Sequence, residues 1–343
     1  MLPWGQRIGI DLGTSHTEVC LPEQGVVVRE ATAVAYTDRR RRPIALGEEA
    51  RLMAGKDIPG LRVVRPVVGG VVADFDAAVD LLRHCLRGVL GRRPVFAPVA
   101  IAAATSESTE VERRALHDCL RSAGAGRAYL VPKCLAAGLG SELPMEDASS
   151  RMVVDIGAGT TDIGILSMGA VTSTNSLHYA GDDLDEGIRR WVKRRHDTVI
   201  SRRAAEELKV RVAAVEPALS RESGSINGLE ANGNSVAGLR IPAEAIPKVL
   251  AGAVMPIIGE LSWMLDNLPA ERRAELTNTG IVLTGGSSLL RGLPDLFQEK
   301  LQVPVTVARD PLSCTVLGIE YIMANLENLS LEGRRYARLS PLR

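Results

Sequence analysis

The sequence predicts an α/β protein whose two related lobes face each other across a cleft, and three observations carry that prediction. A short apolar strand at residues 8–11 ends in Asp11 and runs into a Gly13-Thr14 turn. The arrangement returns at residues 152–156, where Asp155 precedes the turn Gly157-Ala158-Gly159-Thr160-Thr161. A third strand, residues 280–283, ends in Thr284-Gly285-Gly286-Ser287-Ser288. Two copies of one hairpin are what an internal duplication leaves, and strands alternating with helical patterns define the α/β class. At 343 residues the chain also exceeds the usual size of a single hydrophobic core, which favours two core-bearing domains.

In chain order, residues 8–11 form an apolar strand and residues 17–21 resume strand alternation after the turn, completing a hairpin. Helical periodicity covers residues 76–90 and 107–123, the latter with Thr105 or Ser106 as N-cap. The second hairpin pairs residues 152–156 with 163–166. Helices follow at 184–195, 204–215 and 243–268, and the Ser-, Gly- and Asn-rich residues 220–237 read as a hairpin or loop excursion from the second half. The third Gly loop continues into a helix at 289–301, and a last helix near 315–326 is expected to cross back and complete the first lobe.

Composition excludes several classes. Hydrophobic residues are 45% and charged residues 24% of the chain, so it has the material to fold. Lys plus Arg and Asp plus Glu both total 41, a balance that calls for no nucleic acid. The runs at 39–42 and 189–195 read as solvated faces. Five widely spaced cysteines without a C-x-x-C pair argue against a disulfide framework or a zinc site and fit a reducing, cytoplasmic home. The longest apolar stretch, 94–104, is short of the ~18 residues that span a bilayer, and the N-terminus has no signal layout, so neither secretion nor a membrane span is expected.

Glycine lets backbone N–H groups approach an oxyanion closely, and threonine adds a hydroxyl donor, so each loop reads as a phosphate nest. A carboxylate at each strand end, Asp11 and Asp155, can hold Mg²⁺ through water. Two such loops from opposite lobes would clamp one Mg-nucleotide. The chain lacks G-x-x-x-x-G-K-[ST] and a helix-opening G-x-G-x-x-G, which excludes a P-loop NTPase and disfavours a Rossmann site.

These residues resemble the actin, Hsp70 and sugar-kinase superfamily and, within it, the MreB-type bacterial actins, of which the chain looks like a divergent, Mbl-like member. IGIDLGTSHT (8–17) resembles the first phosphate motif of that family, VVDIGAGTTDIGILS (153–167) the second, and IVLTGGSSLLRGL (281–293) the adenosine motif. RPVVGGVVADFD (65–76), TEVERRAL (109–116), AGDDLDE (180–186) and DPLSCTVLG (310–318) extend the likeness over nearly the whole chain. The resemblance implies an actin-like ATPase fold, two duplicated ribonuclease-H-like lobes around a nucleotide cleft. Domain I is expected at 1–143, completed by 310–343, and domain II at 144–309 with a smaller subdomain at about 180–245.

By position, the resemblance places Thr14, Ser15 and His16 at the phosphate end, with Gly157, Ala158, Gly159 and Thr160 on the facing loop. Glu206, Glu207 and Lys209 match the helix that touches ribose and adenine, and Gly285, Gly286, Ser287 and Ser288 pass the adenosine. ATP and Mg²⁺ are the implied cofactors. The implied partners are further copies in a filament, another MreB-type protein, and membrane-anchored cell-wall synthesis proteins. Peripheral membrane contact is expected through Leu2 and Trp4, or Val95 and Phe96 beside Arg92 and Arg93.

The chain departs from the family at one position with chemical weight. The family carries a Glu-Pro segment whose Glu positions the attacking water; here LVPKCLAAGLG (130–140) puts Lys133 in its place. A carboxylate accepts a proton from water, whereas an ammonium only donates, so hydrolysis is expected to be weak unless Thr161 or Asp162 supplies the water contact. Ser15-His16 replaces Ala-Asn, and Ala158 replaces a glycine, at a cost of ~1 kcal/mol if its φ is positive. Cys134, beside Lys133, is a thiol whose pKa that cation could lower. A kinase or a chaperone on this fold would need an acceptor pocket or a substrate-binding domain, for which the chain shows no segment. A non-hydrolysing regulator that caps or copolymerises with another MreB-type protein is the alternative.

Overall fold

The computed structural model describes residues 6–37, 40–56, 58–91, 97–143, 149–212, 214–220, 224–230, 235–242 and 244–331. Two five-stranded sheets dominate it, and their wiring is the same. In the first, strand order is Gly25–Ala31, His16–Leu21, Arg7–Leu12, Val99–Ala104, Arg127–Pro132; in the second it is Ala170–Leu177, Thr161–Ser167, Arg151–Ile156, Ile281–Thr284, Val305–Val307. Each sheet pairs its first three strands antiparallel and adds the last two in parallel. The duplication expected from two short loops therefore extends across the whole of both sheets.

Each sheet has its own core. Ile8, Ile10, Leu81, Leu82 and Leu120 anchor the first, the last three supplied by the helices Phe75–Leu90 and Glu110–Ala123. Met152, Ile163, Ile188, Leu208 and Phe297 anchor the second. Residues 245–266, long and apolar enough by composition to cross a membrane, form two helices instead of the one expected at 243–268. Ala245–Ala253 and Met255–Asp266 bury Ile246, Leu250, Ile257 and Leu261 in the second core.

The C-terminal helix, Cys314–Leu331, returns to the first lobe, where Val316, Ile319, Ile322 and Met323 cover Cys20, Ile101 and Val131. It crosses the helix Lys133–Gly140 with the two backbones touching. A Cβ on Gly318 would collide with the Ala136 carbonyl, and one on Gly140 with that of Cys314. Arg7 Nη1 donates to Met323 O at 2.9 Å across the same seam.

Several boundaries differ from those read in the sequence. The helix expected from 107 begins at Glu110, because residues 105–108 close a turn and Thr109, with Glu112, makes a reciprocal capping box. The helix expected at 289–301 begins at Leu293, since Gly286–Leu289 is a 3₁₀ turn and Gly292, at φ 79°, interrupts the path. The excursion at 220–237 contributes the strands Gly224–Glu230 and Ser235–Ile241 to a small sheet with Thr198–Val199. Leu2, Trp4, Arg92, Arg93, Val95 and Phe96 lie outside the described residues.

Candidate functional site

The two duplicated hairpins point their turns at each other and line a cavity of about 570 Å³, within the range that holds small-molecule ligands. The turns close identically: Gly13 N donates to His16 O and Gly157 N to Thr160 O, both at 3.0 Å. The cavity is walled on one side by Asp11, Gly13, Thr14, Ser15 and His16. Gly157, Ala158, Gly159 and Thr160 face them, with Asp155 at the base. The glycine at 159 is required by the approach of the lobes, since a Cβ there would meet Thr14 Oγ1 and the backbone of Gly69. Ala158 keeps a negative φ, so its replacement of glycine costs no backbone strain.

Gly285, Gly286 and Ser287 form another wall. Gly285 adopts φ 80° and passes so near Asp155 and Ile156 that no side chain fits. Ser288 is fully buried behind this wall, its hydroxyl donating to Gly285 O at 2.6 Å. Glu206 and Lys209 line the remaining side. The Lys209 ammonium is held by Asp185 at 2.9 Å and Gly181 O at 2.9 Å, while Glu207 turns outward to Arg203 at 2.8 Å. Thr161 is fully buried outside the cavity lining and donates to Tyr179 O at 2.8 Å.

Strand register explains the charges at the base. Asp11 lies opposite Glu18, and Asp155 opposite Asp162, so each hairpin presents two acids on one face. Like charges directly opposite repel, and each row needs a cation. In the first lobe the third strand supplies it, because Arg29 lies opposite Glu18 and pairs with it. In the second lobe that strand carries Ser176, which only donates a hydrogen bond to Asp162. The missing cation is Lys133, whose Nζ lies 2.7 Å from Asp155 Oδ2 and 3.9 Å from Asp162 Oδ2. Burial alone would lower its pKa; Asp155, Asp11 and Asp162 outweigh that and hold it above the ordinary lysine value.

The divalent ion expected between Asp11 and Asp155, held through water, would meet an ammonium here. Asp155 has both oxygens engaged, Oδ2 by Lys133 and Oδ1 by Thr284 Oγ1 at 3.1 Å. Among the described residues no group of three or more His, Cys, Asp or Glu side chains is placed to hold a metal. Cys134 is buried beside Ser106, and burial pushes its thiol up to about 11, the opposite of a reactive cysteine. Glu18 and Arg29 also line the cavity and were not singled out from the sequence, although Asp11 and Glu18 have the same spacing as Asp155 and Asp162.

A pH dependence follows from the buried acids. Burial raises Asp11 to about 6, against the opposing pull of Lys133, and Glu18 to about 7; it raises Asp185 to about 6 despite Lys209. Each of these acids therefore holds its proton in the folded chain at pH values where the unfolded one has lost it, and the stability they contribute falls as pH rises through that window; burial lowers His16 and opposes them, but they are three against one. The nucleotide-free protein is expected to melt about 3 °C higher at about pH 5.5 than at about pH 7.5 in a thermal scan.

The family described as MreB/Mbl protein matches residues 5–331. The chain belongs to the MreB/Mbl family. It is 32% identical over 326 residues to the cell shape-determining protein Mbl of Bacillus subtilis (strain 168), covering 95% of this chain and 98% of that protein. It is 32% identical over 323 residues to the cell shape-determining protein MreB of Escherichia coli (strain K12), with 91% of each covered. The structure of MreB5 of Spiroplasma citri bound to AMPPNP superposes with a TM-score of 0.89 at 30% identity, over 96% of this chain and 99% of that one. The MamK double helical filament gives a TM-score of 0.78 at 26% identity, over 93% and 99%. These likenesses establish the actin-like ATPase fold for this MreB/Mbl member.

Proposed function

We propose that this chain is an ATP-binding, actin-like cytoskeletal protein that forms filaments at the inner face of the cell membrane and serves cell shape and cell-wall synthesis. We assign it two lobes, 1–143 with 310–343 and 144–309, the second with a subdomain near 180–245. The observation that carries the reading is the cavity between two identically closed glycine turns, whose backbone donors suit phosphate oxygens. The relatives bound to AMPPNP and ADP and the MamK filament support it. Hydrolysis is slow in this reading, because Lys133 occupies the position of a water-orienting carboxylate and can only donate.

A second reading is favoured by the Lys133–Asp155 ion pair: a nucleotide-binding regulator that does not hydrolyse ATP and caps or copolymerises with another MreB-type protein. Electron microscopy of the purified protein with ATP, alongside phosphate release, separates the two. Long filaments with little phosphate release are the expected result. Filaments that appear only when a second MreB-type protein is added would establish the regulator, and failure to bind ATP would reject both.

A further inference from the structure

The second acidic row obtains its cation from outside its own lobe. Lys133 is the first residue of the helix Lys133–Gly140, directly after the last strand of the first sheet, and it reaches across to the second lobe. Its side chain is 13% exposed, lines the cavity, and ends beneath the turn at Gly157. Its ammonium forms an ion pair with Asp155 at 2.7 Å and remains on the cavity wall, with three N–H donors to share between that carboxylate and a ligand. Asp162 needs little from it, since Thr160 Oγ1, Ser176 Oγ and Ser106 N already donate to that carboxylate.

A compact ammonium against one carboxylate, under a phosphate-nest turn, stands where a divalent ion would mediate between acids and phosphates. Exchanging a carboxylate for an ammonium at this one position changes the charge of the site by two units, which is the charge of one divalent cation. A metal entering beside Lys133 would meet a like charge and a carboxylate already engaged on both oxygens.

We propose that Lys133 is a built-in cation that replaces the divalent metal, so that the cleft binds a nucleoside triphosphate free of metal, with the ammonium shared between Asp155 and the terminal phosphates. This rests on the nucleotide-binding reading above and adds to it the ionic form of the ligand. Free triphosphate, and not its magnesium complex, is the species taken up.

The test is ATP titration of the full-length protein by calorimetry in excess EDTA and in excess Mg²⁺. The wild type is expected to bind with dissociation constants within about threefold of each other, or tighter in EDTA. Lys133→Met removes the charge at similar length and should lose at least about tenfold in EDTA, with Mg²⁺ restoring part of the loss. A wild type that loses tenfold or more on chelation overturns the proposal, as does a Lys133→Met variant that binds equally well in EDTA. The wild-type comparison stands even if the variant folds poorly. Absence of ATP binding in both buffers would overturn instead the nucleotide reading on which the proposal rests.

Discussion

Replacing Lys133 by glutamate is expected to raise phosphate release from ATP by about a hundredfold, the usual contribution of a positioned general base. The variant exchanges a donor for an acceptor at the start of the helix Lys133–Gly140, where Pro132 precedes it with φ −60° and ψ 131°. Because that extended residue leads straight into the helix, the new carboxylate would project from the same point as the ammonium does now. It would also leave Asp11, Asp155 and Asp162 without their shared counter-ion, so the same variant should melt well below the wild type when no cation is supplied. A malachite-green assay over time, with ATP binding measured on the same preparation, reads the outcome. Unchanged phosphate release from a folded, ATP-binding variant would show that the missing acceptor does not limit hydrolysis.

The second large effect belongs to the crossing of two helices. Gly318→Val is expected to destabilise the protein by about 3 kcal/mol or more, because a side chain there meets the Ala136 backbone, which cannot swing aside as a flexible side chain would. Gly252→Ala supplies the control: it lies in the helix Ala245–Ala253 with open space where the methyl would go, and should be neutral or stabilise by up to about 1 kcal/mol. Chemical denaturation of the three proteins decides the point. Equal effects in the two variants would mean that the crossing does not set the cost.

The hairpins were legible in the sequence because their signal is local: an apolar strand, an acid, a glycine turn. The third strand of each sheet was not, since Gly25–Ala31 and Ala170–Leu177 are largely half-buried and mix polar with apolar residues, with no clean alternation. Val99–Ala104 is buried along its whole length but consists mostly of alanine, which favours helices over strands, and so read only as an apolar stretch. At the site, the three glycine loops were legible as local patterns, while the resemblance to MreB-type actins is what gathered their residues around one cleft. The partner of Lys133 could not, because Asp155 belongs to the other lobe and only the relation between the two sheets brings them together. Glu18 shows the reverse case, where the spacing was present in the sequence but its meaning depended on knowing that the two acids of each hairpin stand opposite one another.

The return of the C-terminal helix also sets an order on how the molecule is made. Arg7 and Met323 touch although 316 positions separate them, whereas every strand of the second sheet falls between Arg151 and Val307. On a ribosome, the second lobe can therefore close while the first, already synthesised, still presents Cys20, Ile101 and Val131 to water. The core on the other face of that sheet uses residues 8–130 alone, so the first lobe can start first and yet be completed last. A nascent chain in that half-finished state carries an apolar face without its lid, and its exposure to chaperones and to aggregation ends only when Val316 to Met323 emerge and dock.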